Sequence, residues 1–138
     1  MLAVAVARHL DQLGLVRFDE AGVAGDCFIA VLPASPDQAV ALFPTGGAAP
    51  DPALGYDTAA LQIVVRGTQD PRTASERAEA IYGALHGLRS TALPGGVWVV
   101  LCRAMQSGPV WVERDANGRH VMSLNFELEV RHVTAHRA

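Results

Sequence analysis

The most regular pattern in the chain lies in residues 115–133, DANGRHVMSLNFELEVRHV. From position 122 onward apolar and polar residues alternate strictly, which is typical of a β-strand with one covered face and one outward face. The inward set is Met122, Leu124, Phe126, Leu128 and Val130. The preceding Asn117-Gly118 pair is the strongest short-range hairpin signal, and it predicts a type I′ turn with positive φ at both residues. The pattern therefore predicts a hairpin whose second strand, 119–133, is long and covered on one face.

Five further strands are predicted from short apolar runs bounded by Gly, Pro and turn residues. They cover residues 27–32, 39–43, 61–66, 97–101 and 110–113. The run 97–101 is continuously apolar, which predicts a central strand covered on both faces. Residues 44–57 contain three prolines and three glycines, so this stretch predicts a long surface loop.

Two helices are predicted from apolar residues at helical spacing. The first follows Leu2, Val6 and Leu10 and is stopped by Gly14. The second begins with Asp70 as N-cap and Pro71 in the first helical position. This order of elements predicts an α+β fold, a mainly antiparallel mixed sheet with two helices packed on it. We expect a single domain over 1–138, with 134–138 as a frayed tail.

Composition excludes some classes of function. The formal net charge is −3, and Lys is absent, which argues against a nucleic-acid binder with clustered positive charge. The apolar start of the chain is interrupted by Arg8, so it predicts an amphipathic helix and not a membrane span. Cys27 and Cys102 lie in apolar stretches and are interpreted as buried thiols, although a disulfide between them stays open at this point.

Residues that could carry catalytic chemistry are few. A P-loop would require a Lys, which the chain lacks, and no Gly-x-Ser-x-Gly elbow is present. His132 and His136 resemble half of a metal site but have no Cys or acidic ligand at motif spacing, so surface histidines are the favoured interpretation. We therefore expect no catalytic residue, no metal and no cofactor.

Two groups of charged residues are candidate interaction sites. Glu127 and Glu129 stand two apart on the last strand, and an acidic strip facing solvent or a ring lumen is favoured over acid–base catalysis. Asp57, Arg66 and Asp70 bracket the middle strand. A charged strand end could hold a neighbouring chain through a bidentate pair, but a lone surface Arg contributing little is the simpler interpretation.

The order of these parts resembles a known family. The resemblance is carried by Leu61-Gln62-Ile63-Val64-Val65-Arg66-Gly67 after a Pro/Gly loop, by the helix that follows, by Gln106-Ser107-Gly108-Pro109 before the 115–119 turn, and by Asn125-Phe126-Glu127-Leu128 in the closing strand. These features resemble the phage minor capsid and tail-terminator (tail completion) proteins, over about Met1 to His132.

The resemblance implies a structural virion protein, assembled in the host cytoplasm and located at the tail and neck. Such a protein forms a ring, usually hexameric, on the last disc of the tail tube, stops tube growth and gives the neck a docking surface. The implied partners are other copies of the chain, the tail tube protein and a head-completion or connector protein. The family carries no catalytic residues, and Asp57, Arg66 and Asp70 are its only matched interface candidates. DNA would pass through an acidic lumen without specific binding, and no membrane is implied.

Two alternatives stay open from the sequence. One is another neck component, a head–tail joining or head-closure protein, which also forms rings of small subunits. The other is a small hydrolase or ligand-binding domain that would use Glu127, Glu129 and His132. The second alternative requires a concave pocket that gathers these residues.

Overall fold

The central element of the fold is the long strand predicted from the alternation at residues 122–131. A computed structural model describes residues 1–137. Its helices are α1 (Leu2–Gln12) and α2 (Pro71–Leu85). Its strands are β1 (Cys27–Ile29), β2 (Ala39–Pro44), β3 (Tyr56–Arg66), β4 (Arg89–Ala92), β5 (Trp98–Ala104), β6 (Val110–Arg114) and β7 (His120–Arg131).

Strand β7 organises a seven-stranded sheet of order β1-β2-β3-β7-β5-β4, and β6 also pairs with β7. One edge of β7 is antiparallel to β3 along the full length of β3, from Tyr56 opposite Arg131 to Arg66 opposite Val121. The other edge pairs with β5 near the end of β7 and with β6 near its start. Only β1 and β2 are parallel. The prediction of an α+β fold with a mainly antiparallel sheet is confirmed.

Both helices pack on the inner face of the sheet because each presents one apolar stripe. Helix α1 packs on β1 and β2 through residues such as Val6 and Leu10, while α2 packs on β3, β5 and β7 through residues such as Ile81. The inward set of β7 is buried against them, and Phe126 is among the largest fully buried side chains. Asp70 accepts a hydrogen bond from Arg72 N, 3.0 Å away, and caps α2 as predicted.

Several predicted boundaries are wrong. Strand β3 begins at Tyr56, so the predicted loop 44–57 shortens to 45–55, because Pro44 still pairs with Leu61 at the end of β2. Strand β1 is shorter than the predicted 27–32, and the turn after it begins at Ala30, which has a φ of 59°. The polar strand β4, which pairs with β5, has no apolar pattern and was not predicted.

The interpretation of residues 97–101 as a strand covered on both faces is also wrong. Val99 and Cys102 are buried, whereas Trp98 is 41% and Leu101 37% exposed. The outer side of β5 is uncovered, and a register irregularity between Val99 and Leu101 makes Cys102 the next inward residue. Trp98 and Leu101 therefore lie on the uncovered side despite their apolar character. Cys27 and Cys102 are both buried free thiols, so the favoured interpretation of the cysteines is confirmed.

The tail was predicted to be frayed over 134–138. In the structure Thr134 pairs with Arg137, and Arg137 Nη2 donates to Tyr56 O at 2.6 Å. The tail is therefore docked against the start of β3 as far as Arg137, and the remainder of the prediction, at Ala138, lies outside the described residues. Within residues 1–137 neither helix is long and apolar enough to cross a membrane.

The β6–β7 hairpin forms at the predicted place, but its turn is of a different type. Gly118 has a φ of 77°, whereas Asn117 is not among the residues with positive φ in the described chain. Gly118 N donates to Asp115 O at 2.9 Å, and Asp115 Oδ1 accepts from the backbone N–H groups of Asn117 and Arg119. The Asp115 side chain thus shapes the turn, and only Gly118 needs the left-handed conformation.

We expect Gly118→Val to lower the free energy of unfolding by about 1 kcal/mol or more. A Cβ at this position would be strained at positive φ and would lie 3.3 Å from Gln69 Cγ. Urea denaturation of the purified protein measures the effect. Asn117→Ala is the matched control, because Asn117 lacks positive φ and its change is expected to cost less than about 0.5 kcal/mol. Equal losses for the two variants would contradict the assignment of the left-handed conformation to Gly118 alone.

Candidate protein-binding surfaces

The outer face of the sheet is uncovered over half of its length. We call this region the open face. It consists of Tyr56, Thr58, Leu101, Arg103, Glu127, Glu129 and Arg131, contributed by β3, β5 and β7. At the other end of the same face, Ala39, Ala41 and Ser123 are buried because the loop 30–38 crosses over them. The open face is therefore a broad, shallow surface next to a covered one.

The structure places both predicted acidic residues on the open face. Glu127 forms an ion pair with Arg103 on the neighbouring strand, with the Arg103 side chain 62% exposed. Glu129 is exposed, lies opposite Thr58, and is followed by the exposed Arg131. Two carboxylates and two guanidinium groups thus share this surface, so its local charge is balanced and the strip is less acidic than the sequence of β7 alone indicated.

Asp57 lies at the beginning of β3 and anchors the tail. Its Oδ2 is 2.6 Å from His132 Nδ1, and its Oδ1 is 2.8 Å from Arg137 Nη2. The second contact is an ion pair without hydrogen-bond geometry, because the Arg137 guanidinium donates to the carbonyls of Leu54 and Tyr56. The Arg137 guanidinium, and after it the His132 imidazole, hold the pKa of Asp57 below its ordinary value.

Arg66, at the opposite end of β3, is 4% exposed and is used within its own chain. Its guanidinium donates to Pro33 O at 2.6 Å, Pro36 O at 2.8 Å and Asp37 O at 2.9 Å. Burial lowers the pKa of Arg66, and the nearby Arg119 guanidinium lowers it further, although an Arg stays charged in proteins. The side chain fixes the loop 30–38 over the outer face.

Asp70 is half-buried at the start of α2, close to the hairpin turn. Ion-pair contact with the Arg72 guanidinium, and then the hydrogen bond from the Arg72 backbone, lower the pKa of Asp70 to about 2. Asp57 lies near the start of β3 and Asp70 follows its end, and the extended strand from Asp57 to Arg66 spans about 30 Å. The structure therefore does not bring Asp57, Arg66 and Asp70 together, and their assignment to a subunit interface stays a prediction.

Two buried ion pairs were missed from the sequence. Arg119 is 7% exposed and contacts Asp115 Oδ2 at 2.9 Å, Ala34 O at 2.7 Å and Asp37 Oδ1 at 3.0 Å. Arg77 contacts the buried Asp26 at 2.8 Å. Asp115 is only four residues from Arg119, but Asp37 and Asp26 lie 82 and 51 residues from their partners, so the local sequence does not indicate that either Arg is covered.

The most apolar exposed segment is on β6, and it was not predicted as a site. Val110 is 43%, Trp111 54% and Val112 50% exposed. We call these three residues the β6 knob. Trp111 Nε1 donates to His120 Nδ1 at 3.0 Å, which orients the indole ring. The sequence signal of the knob is three consecutive apolar residues on a short strand next to a turn.

A cleft of about 450 Å³ lies at the far end of β7 from the knob. We call it the end cleft. It is lined by Leu2, Ala48, Pro50, Ala59, Val97 and Val130, with Asp57, Arg131 and His132 among its polar residues. Most of this lining is aliphatic, so the cleft suits an apolar side chain more than a polar metabolite.

The residues of the hydrolase alternative are not gathered in a pocket. Glu127 and Glu129 are on the open face, whereas His132 contacts Asp57 near the end cleft. Within residues 1–137 no three His, Cys, Asp or Glu side chains are arranged to hold a metal ion. His132 therefore contacts Asp57, which anchors the tail. Within residues 1–137 His132 and His136 are not part of a group that could hold a metal ion.

Comparison with known families gives one assignment. The family described as bacteriophage tail terminator protein matches residues 9–131, nearly the whole chain. A comparison with curated proteins found no match. The family is structural and not enzymatic, and its members are virion components. The chain therefore belongs to the bacteriophage tail terminator family.

Proposed function

We propose that the chain forms a ring, hexameric as is usual in this family, on the last disc of a phage tail tube. The ring stops tube growth and presents a surface to the neck. The observation that carries the proposal is the β6 knob, since a strand with three exposed apolar residues on a sheet edge is a site for another protein chain. A chain with this surface is suited to assembly with other chains.

Capping follows from how a tube grows. Tube subunits add through a head-to-tail interface that repeats without closing, so the tube has no intrinsic end. A ring bound to the terminal disc occupies the surface that the next disc would use. This action is stoichiometric and needs no turnover, which agrees with a chain whose carboxylates are engaged in ion pairs or lie on a broad open face.

The charged residues have separate roles in this proposal. Asp57 and Asp70, at opposite ends of the subunit, are offered as contacts to the two neighbours in the ring. Arg66 acts indirectly, by fixing the loop 30–38 that borders the outer face. Glu127 and Glu129 are offered as lumen or solvent residues, where they offset the charge of Arg103 and Arg131 and leave no clustered positive charge to bind DNA strongly. Assembly in the host cytoplasm completes the proposal.

Purified protein added to isolated tail tubes is expected to bind at one tube end, with saturation at one ring per tube. Negative-stain electron microscopy with gold-labelled protein measures the position, and quantitative gels of pelleted tubes measure the stoichiometry. Tube protein assembled in the presence of the chain should give shorter tubes in proportion to the ends capped. Binding along the tube wall would contradict the proposal, and binding only to isolated heads would favour a head–tail joining or head-closure protein.

A further inference from the structure

We infer that the β6 knob of one subunit docks in the end cleft of a second copy of this chain. The inference rests on the proposed ring and names the surfaces that build it. The knob and the cleft are different surfaces of one chain, located beside opposite ends of β7. The stretch of β7 from Val121, beside the knob, to Val130, in the cleft, separates them by about 30 Å. Two complementary surfaces so far apart cannot meet within a subunit, but they can join successive copies head to tail, as a ring requires.

The knob has the chemistry of an interface centre. Trp111 is more than half exposed between two exposed valines, and Trp is the residue type most enriched among side chains that dominate binding. Val112 is the extra residue of a bulge in β6, since Trp111 pairs with Met122 and Glu113 with Val121. A bulge interrupts the ladder at this edge, so it favours insertion of side chains over addition of another strand.

The end cleft has the size and the lining to receive this knob. Its volume of about 450 Å³ accommodates an indole and a neighbouring valine, and its lining includes Leu2, Pro50, Val97 and Val130. Stable interfaces bury about 800 Å² on each partner, with an apolar centre and a polar rim. The knob and cleft supply the centre, and the charged residues around them supply the rim.

The charges at the two surfaces are complementary. Glu113 directly follows the knob and is exposed, while Arg131 lines the cleft and is exposed. Neither Glu113 nor Arg131 has an ion-pair partner within residues 1–137. When Trp111 of one copy enters the cleft of the next, Glu113 is carried toward the rim that holds Arg131. The pairing gives the interface its direction, because the knob end contributes the anion and the cleft end the cation.

Disulfide trapping tests the contact directly. In Val112→Cys/Ala48→Cys, which keeps Trp111, mild oxidation is expected to give a ladder of covalent oligomers on non-reducing gels, because each copy has one Cys at the knob and one in the cleft. Leu13→Cys/Ala48→Cys is the control and should give no ladder, since Leu13 is exposed at the end of α1 that is far from Leu2 and from the knob. The native thiols do not interfere, because burial raises the pKa of Cys27 and of Cys102 to about 12.

Two further experiments complete the test: the affinity of self-association is measured, and the charges of Glu113 and Arg131 are reversed. Trp111→Ser should raise the dissociation constant for self-association, measured by sedimentation velocity or by ring occupancy on tube ends, by about 30-fold or more. Leu13→Ser, at an exposed position away from both surfaces, should change it by less than about 3-fold. Glu113→Arg should weaken association, Arg131→Glu should restore it in the double variant, and Glu76→Arg on the exposed face of α2 should have no effect.

The outcomes separate this inference from the proposed function. Rings that form on tube ends without a ladder, and with equal affinity for Trp111→Ser, would show that other surfaces build the ring. A chain that stays monomeric both free and on tubes would overturn the ring itself, and the docking inference with it. A ladder in the Val112/Ala48 pair alone, together with rescue by Arg131→Glu, is the expected result.

Discussion

Arg66→Met is expected to lower the free energy of unfolding by about 2–4 kcal/mol. Methionine fills a similar volume but donates no hydrogen bond, so the carbonyls of Pro33, Pro36 and Asp37 lose their buried donor. A buried acceptor left without a partner costs about 1–3 kcal/mol, and part of that cost is recovered when the loop moves and admits water. Urea denaturation of the wild type and the variant measures the difference in unfolding free energy. The two proteins are expected to show the same dependence of that free energy on urea concentration.

Arg103→Met is the matched control for this prediction. Arg103 also has a partner within the chain, the Glu127 carboxylate, but its side chain is 62% exposed. Exposed ion pairs contribute about 0–1 kcal/mol, so the control should stay within that range. Equal losses for the two variants would mean that the hydrogen bonds of Arg66 to the loop do not stabilise the fold, and that the loop is held by other contacts.

The sequence predicted the elements whose stability depends on local patterns. The alternation from 122 to 131 made the covered face of β7 evident, because every inward residue of that stretch is apolar and every outward one polar. The N-cap at Asp70 and the stop at Gly14 were equally local signals. These helices and strands together predicted the α+β class, since the apolar stripe of each helix packs on the apolar face of the sheet.

The sequence could not predict features that depend on distant partners. Arg66 was interpreted as a surface residue because a charged strand end beside a Gly is normally solvated, yet a loop from 30 residues earlier covers it. The run 97–101 was interpreted as buried because apolar composition cannot distinguish a covered face from an uncovered one. The β6 knob was missed for the same reason. Three apolar residues on a short strand indicate a buried strand, whereas in the folded chain they are exposed at the edge of the sheet.

Deleting the gene for this chain is expected to give intact heads that are not joined to tails, together with tubes that are overlong or of scattered length. The effect on tube length has no fixed upper limit, because a head-to-tail polymer without a cap grows until its subunits are exhausted. The distribution of tube lengths in electron micrographs of lysates measures it. Expression of the wild-type chain in trans should restore both a narrow length distribution and head joining.

The complementing variants decide what kind of action the cap has. A Glu127→Gln/Glu129→Gln chain should restore joining, because the ion pair that it loses is exposed and worth about 0–1 kcal/mol, and because steric capping needs no carboxylate chemistry. An enzyme that depended on these carboxylates would lose its function completely in the same variant. Normal tails firmly joined to heads in the deletion strain would contradict the capping role. A double variant that folds and fails to complement would show instead that Glu127 and Glu129 contact a partner, so the open face would become a docking surface for the tube or the neck.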